Sequence, residues 1–170
     1  MGFMIFYLSE EKKFEVFVDM DGVLTNFKKA YAKYSDIDMD EAERRYTSSS
    51  EKFWEPVNDA KVKFWSEMEW MPDGKELWNY IKSYNPTILT SPSKGTACPK
   101  GKKIWVKREL GENIPIIIEK DKYKYSGENK ILIDDTEQKI TDWVDKGGIG
   151  ILHKSASDTI KKLKEIMGEQ

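Results

Sequence analysis

The sequence predicts an α/β fold: a parallel β-sheet covered by helices on both faces, with a small helical cap inserted after the first strand. Three observations predict it. Short apolar runs without polar alternation recur along the chain, as strands buried on both faces require. Amphipathic stretches with three- and four-residue spacing separate most of them. The stretch 28–84 breaks this rhythm with a long, charged and aromatic-rich helical region.

The elements follow in order. Phe14-Glu15-Val16-Phe17-Val18 is rich in β-branched and aromatic residues and ends abruptly at Asp19-Met20-Asp21-Gly22, a strand running into a turn. From about Phe27 to Lys82 the character is helical, with Phe53, Trp54, Phe64, Trp65 and Trp70 among charges and a break at Thr47-Ser48-Ser49-Ser50. Met71-Pro72-Asp73-Gly74 closes that region, and Leu77, Trp78 and Ile81 mark one face of the next helix. Thr87-Ile88-Leu89 is a strand, followed by a helix with Ile104, Trp105 and Leu110 that stops at Gly111. Residues 114–118 and Ile131-Leu132-Ile133 are further strands. A helix carrying Ile140, Trp143 and Val144 stops at Gly147-Gly148, and a strand over 149–152 leads to a last helix through Ile160, Leu163 and Met167. The βαβα rhythm is Rossmann-like, with the core in 1–27 and 85–170 and the helical cap in 28–84.

At 170 residues the chain has room for one core and a small inserted subdomain. Its 28 basic and 30 acidic side chains leave a net charge of −2, which excludes a global attraction to nucleic acid or membrane surfaces and makes any phosphate affinity local. One cysteine, Cys98, excludes an internal disulfide, and no Asn-x-Ser/Thr acceptor occurs; both point to a cytoplasmic protein. The apolar opening Phe3-Met4-Ile5-Phe6-Tyr7-Leu8 lacks a basic leader and is too short to span a bilayer, so it reads as a packing segment.

In open α/β sheets ligands bind beyond the carboxyl ends of the strands. Two strand ends carry paired acids: Asp19 and Asp21 after Val18, and Asp134 and Asp135 after Ile133. Either pair alone has an ordinary explanation, a turn for the first and a helix cap for the second. If the strands are parallel neighbours, however, four carboxylates converge. Two like charges about 4 Å apart repel by roughly 4 kcal/mol at an effective dielectric near 20, and a divalent cation is the simplest compensation. Hard oxygen donors without His or Cys suit Mg²⁺ better than zinc or copper. The other two strand ends offer anion ligands: Thr90, Ser91 and Lys94 after Leu89, and Lys120 and Lys122 after Ile118. A cysteine phosphatase is excluded because position 104 is isoleucine. The Gly95 to Gly101-Lys102 spacing is one residue too long for a Walker loop, and a lone histidine, His153, gives no triad.

These motifs, Asp19-Met20-Asp21-Gly22-Val23-Leu24, Leu89-Thr90-Ser91, a downstream lysine and Leu132-Ile133-Asp134-Asp135, resemble the haloacid dehalogenase (HAD) superfamily of phosphotransferases over nearly the whole chain. Within it, Thr90-Ser91-Pro92-Ser93-Lys94, Cys98-Pro99 before Trp105-Val106, and Asp121-Lys122 are similar to the 5′(3′)-deoxyribonucleotidases. The resemblance implies a Mg²⁺-dependent hydrolase of (deoxy)nucleoside monophosphates. Asp19 is then the nucleophile and Asp21 the acid and base; Asp19, the backbone carbonyl of Asp21 and Asp135 bind the metal, and Asp134 orients Lys122. Thr90, Ser91, Lys94 and Lys122 are expected to hold the phosphate, and the cap residues Phe27, Phe64 and Trp65, with Phe53 and Trp54, to form an aromatic cage. The chain departs from the family in reading Thr25-Asn26 where Ala-Asp is frequent and Thr136 where arginine is common. Three alternatives stay open: a polynucleotide 3′-phosphatase using the lysines between Lys94 and Lys130, another small-metabolite phosphatase, and a catalytically silent binding module.

Overall fold

The computed structural model describes residues 14–48 and 51–168, so the opening apolar segment and Ser49-Ser50 lie outside the described residues. Strands β1 (Glu15–Val18), β2 (Thr87–Thr90), β3 (Ile116–Ile118), β4 (Lys130–Asp134) and β5 (Ile149–Leu152) form one parallel sheet in the order β3-β2-β1-β4-β5. The first strand is therefore central. Val18 pairs with Ile88 of β2 and with Ile133 of β4, which aligns the carboxyl ends of the three strands that carry acids and hydroxyls.

Side chains alternate between two buried faces, the reason these strands carry no polar alternation. Val16, Val18, Ile88, Ile131, Ile133 and Ile151 enter the larger core. Phe17, Leu89 and Leu132 enter the smaller one, with Trp143 from α6 (Glu137–Asp145). Trp143 lies 5.3 Å from Phe17, centroid to centroid, and its indole N–H donates to the Lys130 carbonyl at 3.1 Å. Helices α5 (Ala97–Glu109) and α7 (Ala156–Met167) contribute Trp105, Val106, Ala156 and Leu163 to the larger core.

The insert comprises α1 (Phe27–Ser35), α2 (Met39–Ser48), a 3-10 turn (Glu51–Trp54) and α3 (Glu55–Ser66). Asn26 caps α1, its side chain accepting from the Lys29 N–H. The aromatic residues that sequence spacing scatters through this region gather at the insert's end of the larger core: Tyr31 stacks on Phe53 at 4.3 Å, and Phe64 lies 5.2 Å from Phe27 and 5.0 Å from Trp65. Inside α3, Lys61 leaves helical geometry at φ 51° and ψ −131°, kinking the helix. Strain of this kind in a non-glycine residue costs about 1–3 kcal/mol and is held by surrounding packing.

Not all of 28–84 belongs to the layer over the strand ends. Helix α4 (Gly74–Ile81) packs against α7, with Leu77 and Ile81 fully buried in the larger core, and Asp73 accepts the Ala156 N–H at 2.6 Å. By contrast α3 docks on α5, at Gly101. A methyl group there would collide with the Trp65 side chain and lie 2.6 Å from the Val62 carbonyl oxygen, so glycine is what permits the close approach. Among the described residues, no helix is long and apolar enough to cross a membrane.

Candidate active site

The site is built on the turn that follows β1. The Met20 carbonyl accepts the N–H groups of Val23, Leu24 and Thr25 at 3.1, 2.8 and 2.8 Å, folding the chain tightly back on itself. Gly22 makes this possible with φ +81°, and a side chain there would also run into the Asp135 carboxylate. The segment that returns from the insert clamps the turn: Met71 N–H donates to Leu24 O and Asn26 N–H to Glu69 O, both at 2.8 Å. Asp19 and Asp21 are thereby fixed at the end of the central strand.

Asp19 is 7% exposed. Its Oδ1 accepts the Met20 N–H and the Lys122 ammonium, each at 2.8 Å. Its Oδ2 has no hydrogen-bond partner among the described residues. Lys122 sits in the 3-10 turn Lys122–Tyr125 after β3, is 1% exposed, and also donates to Asp134 Oδ2 at 2.5 Å. Burial disfavours its charge, but Asp19 and Asp134 outweigh burial and hold the ammonium above the usual lysine range. Asp134 spends its other oxygen on the Thr136 N–H at 2.9 Å.

Asp135 faces the cleft. Desolvation, and then the negative charges of Asp19 and Asp134, push its carboxyl up to about 6. Carboxylate oxygens of Asp19, Asp134 and Asp135 come within 4.8 Å of one another. Asp19, Asp134 and Asp135 thus set three carboxylates against one ammonium group, Lys122, a deficit of two positive charges. The all-oxygen donor set and that deficit fit a divalent hard cation such as Mg²⁺. Because Asp134 is committed to Lys122 and Thr136, Asp19 and Asp135 are the residues that would hold it.

Lys102 is the residue that sequence reasoning missed. It is 1% exposed and donates to Asp21 Oδ2 and Thr90 Oγ1, both at 2.7 Å, and to the Ser91 carbonyl at 2.9 Å. Thr25 donates to the other Asp21 oxygen at 3.0 Å, so its hydroxyl, at a position where alanine is frequent in the family it resembles, has a use here. The Thr90 hydroxyl, expected on the phosphate, accepts from Lys102. A signal existed in the sequence: Lys102 falls four residues after Cys98 and three before Trp105, on the apolar side of α5, between the exposed Lys100 and Lys103.

Three chambers that share lining residues lie around this centre. The inner one, about 180 Å³, is lined by Asp21, Gly22, Phe27 and Asp135 among others. The middle one, about 390 Å³, is lined by Asp21, Phe27, Phe53, Trp54, Trp65 and the Ser91-Pro92-Ser93 loop. The outer one, about 580 Å³, shares Trp65 and Ser93 with the middle chamber and adds Lys61, Lys94 and Lys100. Two expectations are corrected here. Phe64 lines none of these chambers; it is fully buried beneath Phe27 and Trp65, because it packs at the insert's end of the larger core. Lys94 is exposed on the outer chamber, since the chain after Pro92 turns away at Gly95 (φ +83°), and does not stand with Lys122 at Asp19.

Solved structures share the fold. The chain is similar to a HAD-superfamily hydrolase of subfamily IA from Geobacter sulfurreducens, at TM-score 0.58 and 10% identity over 94% of this chain and 98% of that one. It is similar to a hydrolase from Streptococcus pneumoniae at TM-score 0.54 and 13% identity, covering 92% and 99% of the two chains. A HAD-superfamily hydrolase from Ehrlichia chaffeensis aligns at TM-score 0.52 and 11% identity over 90% and 97%. The chain therefore has the fold that these solved structures share. No family model and no curated protein matches the sequence.

Proposed function

We propose that the protein is a Mg²⁺-dependent phosphomonoester hydrolase that forms a phosphoaspartate on Asp19, and that it acts as a 5′(3′)-deoxyribonucleotidase on (deoxy)nucleoside monophosphates. The observation that carries this reading is the division of roles at Asp19: Oδ1 is held by Lys122 and the Met20 N–H, and Oδ2 is left to attack. Asp19 Oδ2 bonds to phosphorus as the ester P–O bond breaks, and Asp21 gives its proton to the leaving alkoxide. Asp21, then a carboxylate, takes a proton from water, whose oxygen displaces Asp19 and releases inorganic phosphate. Lys102 and Thr25 hold Asp21 in place for both steps. Lys122 stabilises the charge that develops on the phosphoryl oxygens. Mg²⁺, with Asp19, Asp135 and the Asp21 carbonyl as its expected ligands, supplies charge neutralisation at the phosphoryl group.

The nucleotide part of the reading is supported by the middle chamber, where Phe27, Phe53, Trp54 and Trp65 surround a space in which a base can stack, worth roughly 1–3 kcal/mol. A silent binding module is disfavoured, because it gains nothing from burying two lysines against three of the four acids.

Hydrolysis of p-nitrophenyl phosphate with Mg²⁺, its loss on chelation, and its loss in Asp19→Asn test the mechanism; full activity in that variant sinks it. Deoxynucleoside monophosphates are expected to turn over faster than sugar phosphates, and the reverse ranking moves the assignment to a small-metabolite phosphatase.

A further inference from the structure

The three chambers differ in charge. The inner one is acidic, with Asp21 and Asp135 in its walls. The outer one is walled by Lys61, Lys94 and Lys100 and by no acid, and none of these lysines makes an ion pair among the described residues. Three unneutralised ammonium groups on one concave surface repel one another in the empty state, and the repulsion is relieved by a bound anion.

We propose that the outer chamber is a second anion subsite, and that the ligand filling the whole cleft is a nucleotide bearing a second phosphate group remote from the one at Asp19. The inference rests on the nucleotide phosphatase reading and extends it to substrate class.

Continuity supports it. Asp21 and Phe27 line both inner and middle chambers, and Trp65 and Ser93 line both middle and outer ones, so the three chambers adjoin through shared walls, as a ligand branching from a central sugar requires. A mononucleotide accounts for the first two: phosphate at the acids and Mg²⁺, base among the aromatic rings. The outer chamber, the largest at about 580 Å³, is then left over. Its walls combine ammonium groups with the apolar faces of Val57, Val62 and Trp65, a combination suited to a sugar phosphate. Lys61, at the kink in α3, lines the chamber together with Lys94, beside the turn at Gly95, and Lys100 of α5.

Two sources supply this chemistry: a free nucleoside 3′,5′-bisphosphate and the phosphorylated end of an oligonucleotide. The test is equilibrium binding to the Asp19→Asn variant with Mg²⁺, which holds substrates without consuming them. The probes are a deoxynucleoside monophosphate, the matching 3′,5′-bisphosphate and a 3′-phosphorylated trinucleotide. The bisphosphate is expected to bind at least about tenfold more tightly than the monophosphate, with the gap narrowing as salt rises. Adding Lys61→Ala, Lys94→Ala and Lys100→Ala is expected to reduce that ratio to about one, and arginine at the same positions to restore it. A tighter trinucleotide than bisphosphate assigns the second phosphate to a strand end. Equal binding of mono- and bisphosphate overturns the subsite and leaves the nucleotidase reading standing. Failure of every nucleotide to bind overturns both.

Discussion

Lys122 donates to Asp19 Oδ1 at 2.8 Å and to Asp134 Oδ2 at 2.5 Å, so one ammonium spans the acids at the ends of β1 and β4. Removing it leaves two adjacent carboxylates without their shared cation, and leaves the phosphoryl oxygens without a donor. Lys122→Met is expected to lower kcat by about 10²–10³-fold with the fold intact by circular dichroism, the cost typical of losing one preorganised electrostatic donor. Unchanged kcat in a folded variant removes Lys122 from the mechanism.

Lys102 acts through Asp21, and its loss has a recognisable signature. A good leaving group such as p-nitrophenolate departs without a proton, whereas a sugar alkoxide needs one. Lys102→Met is expected to slow nucleotide hydrolysis by about 10²-fold and p-nitrophenyl phosphate hydrolysis much less, since general acid catalysis is worth about 10²–10⁴-fold where it is needed. Equal losses on both substrates assign Lys102 to the phosphate or to packing.

Gly22 carries a left-handed backbone and makes room for Asp135. Gly22→Ala is expected to lose about 1 kcal/mol or more of stability from the backbone alone. Because the new methyl displaces Asp135, half-maximal activity is also expected to require at least about tenfold more Mg²⁺. A metal titration alongside thermal unfolding separates the two effects, and an unchanged Mg²⁺ requirement excludes Asp135 as a ligand.

His153 gives the pH dependence of stability. Its ring lies buried at the end of β5, Nδ1 2.8 Å from Thr159 Oγ1, and burial holds its pKa below the ordinary value of about 6.5. Above that value the ring is neutral in both folded and unfolded chains and costs nothing. As pH falls below about 6.5 the unfolded chain takes up the proton first, and stability drains away down to the lower folded value. The wild type is therefore expected to lose more Tm between pH 7.5 and 5.5 than His153→Gln; parallel losses assign the acid sensitivity to other groups.

The sheet and its acids were legible because both signals are local. Val16-Phe17-Val18 and Ile131-Leu132-Ile133 are unbroken apolar runs, and the acids follow them without a gap. What escaped depends on which side of a helix or loop meets a distant element. Lys102 looks like its neighbours Lys100 and Lys103 until the end of β2 and Asp21 close around it. Phe64 and Trp65 are adjacent, yet only Trp65 lines the cleft, a difference set by how α3 meets α1 and α5. The role of α4 was likewise hidden, because its apolar face fits either layer and only the contact with α7 decides.

The seam at Gly101 also constrains how this protein can diverge. At that seam Gly101 meets the Val62 carbonyl oxygen and the Trp65 Cβ, so position 101 cannot gain a side chain unless α3 moves away from α5. Trp54 and Asn58, which face the chambers away from that seam, carry no such restriction. Relatives that have adopted new substrates should therefore vary at the latter positions while keeping the small residue on α5.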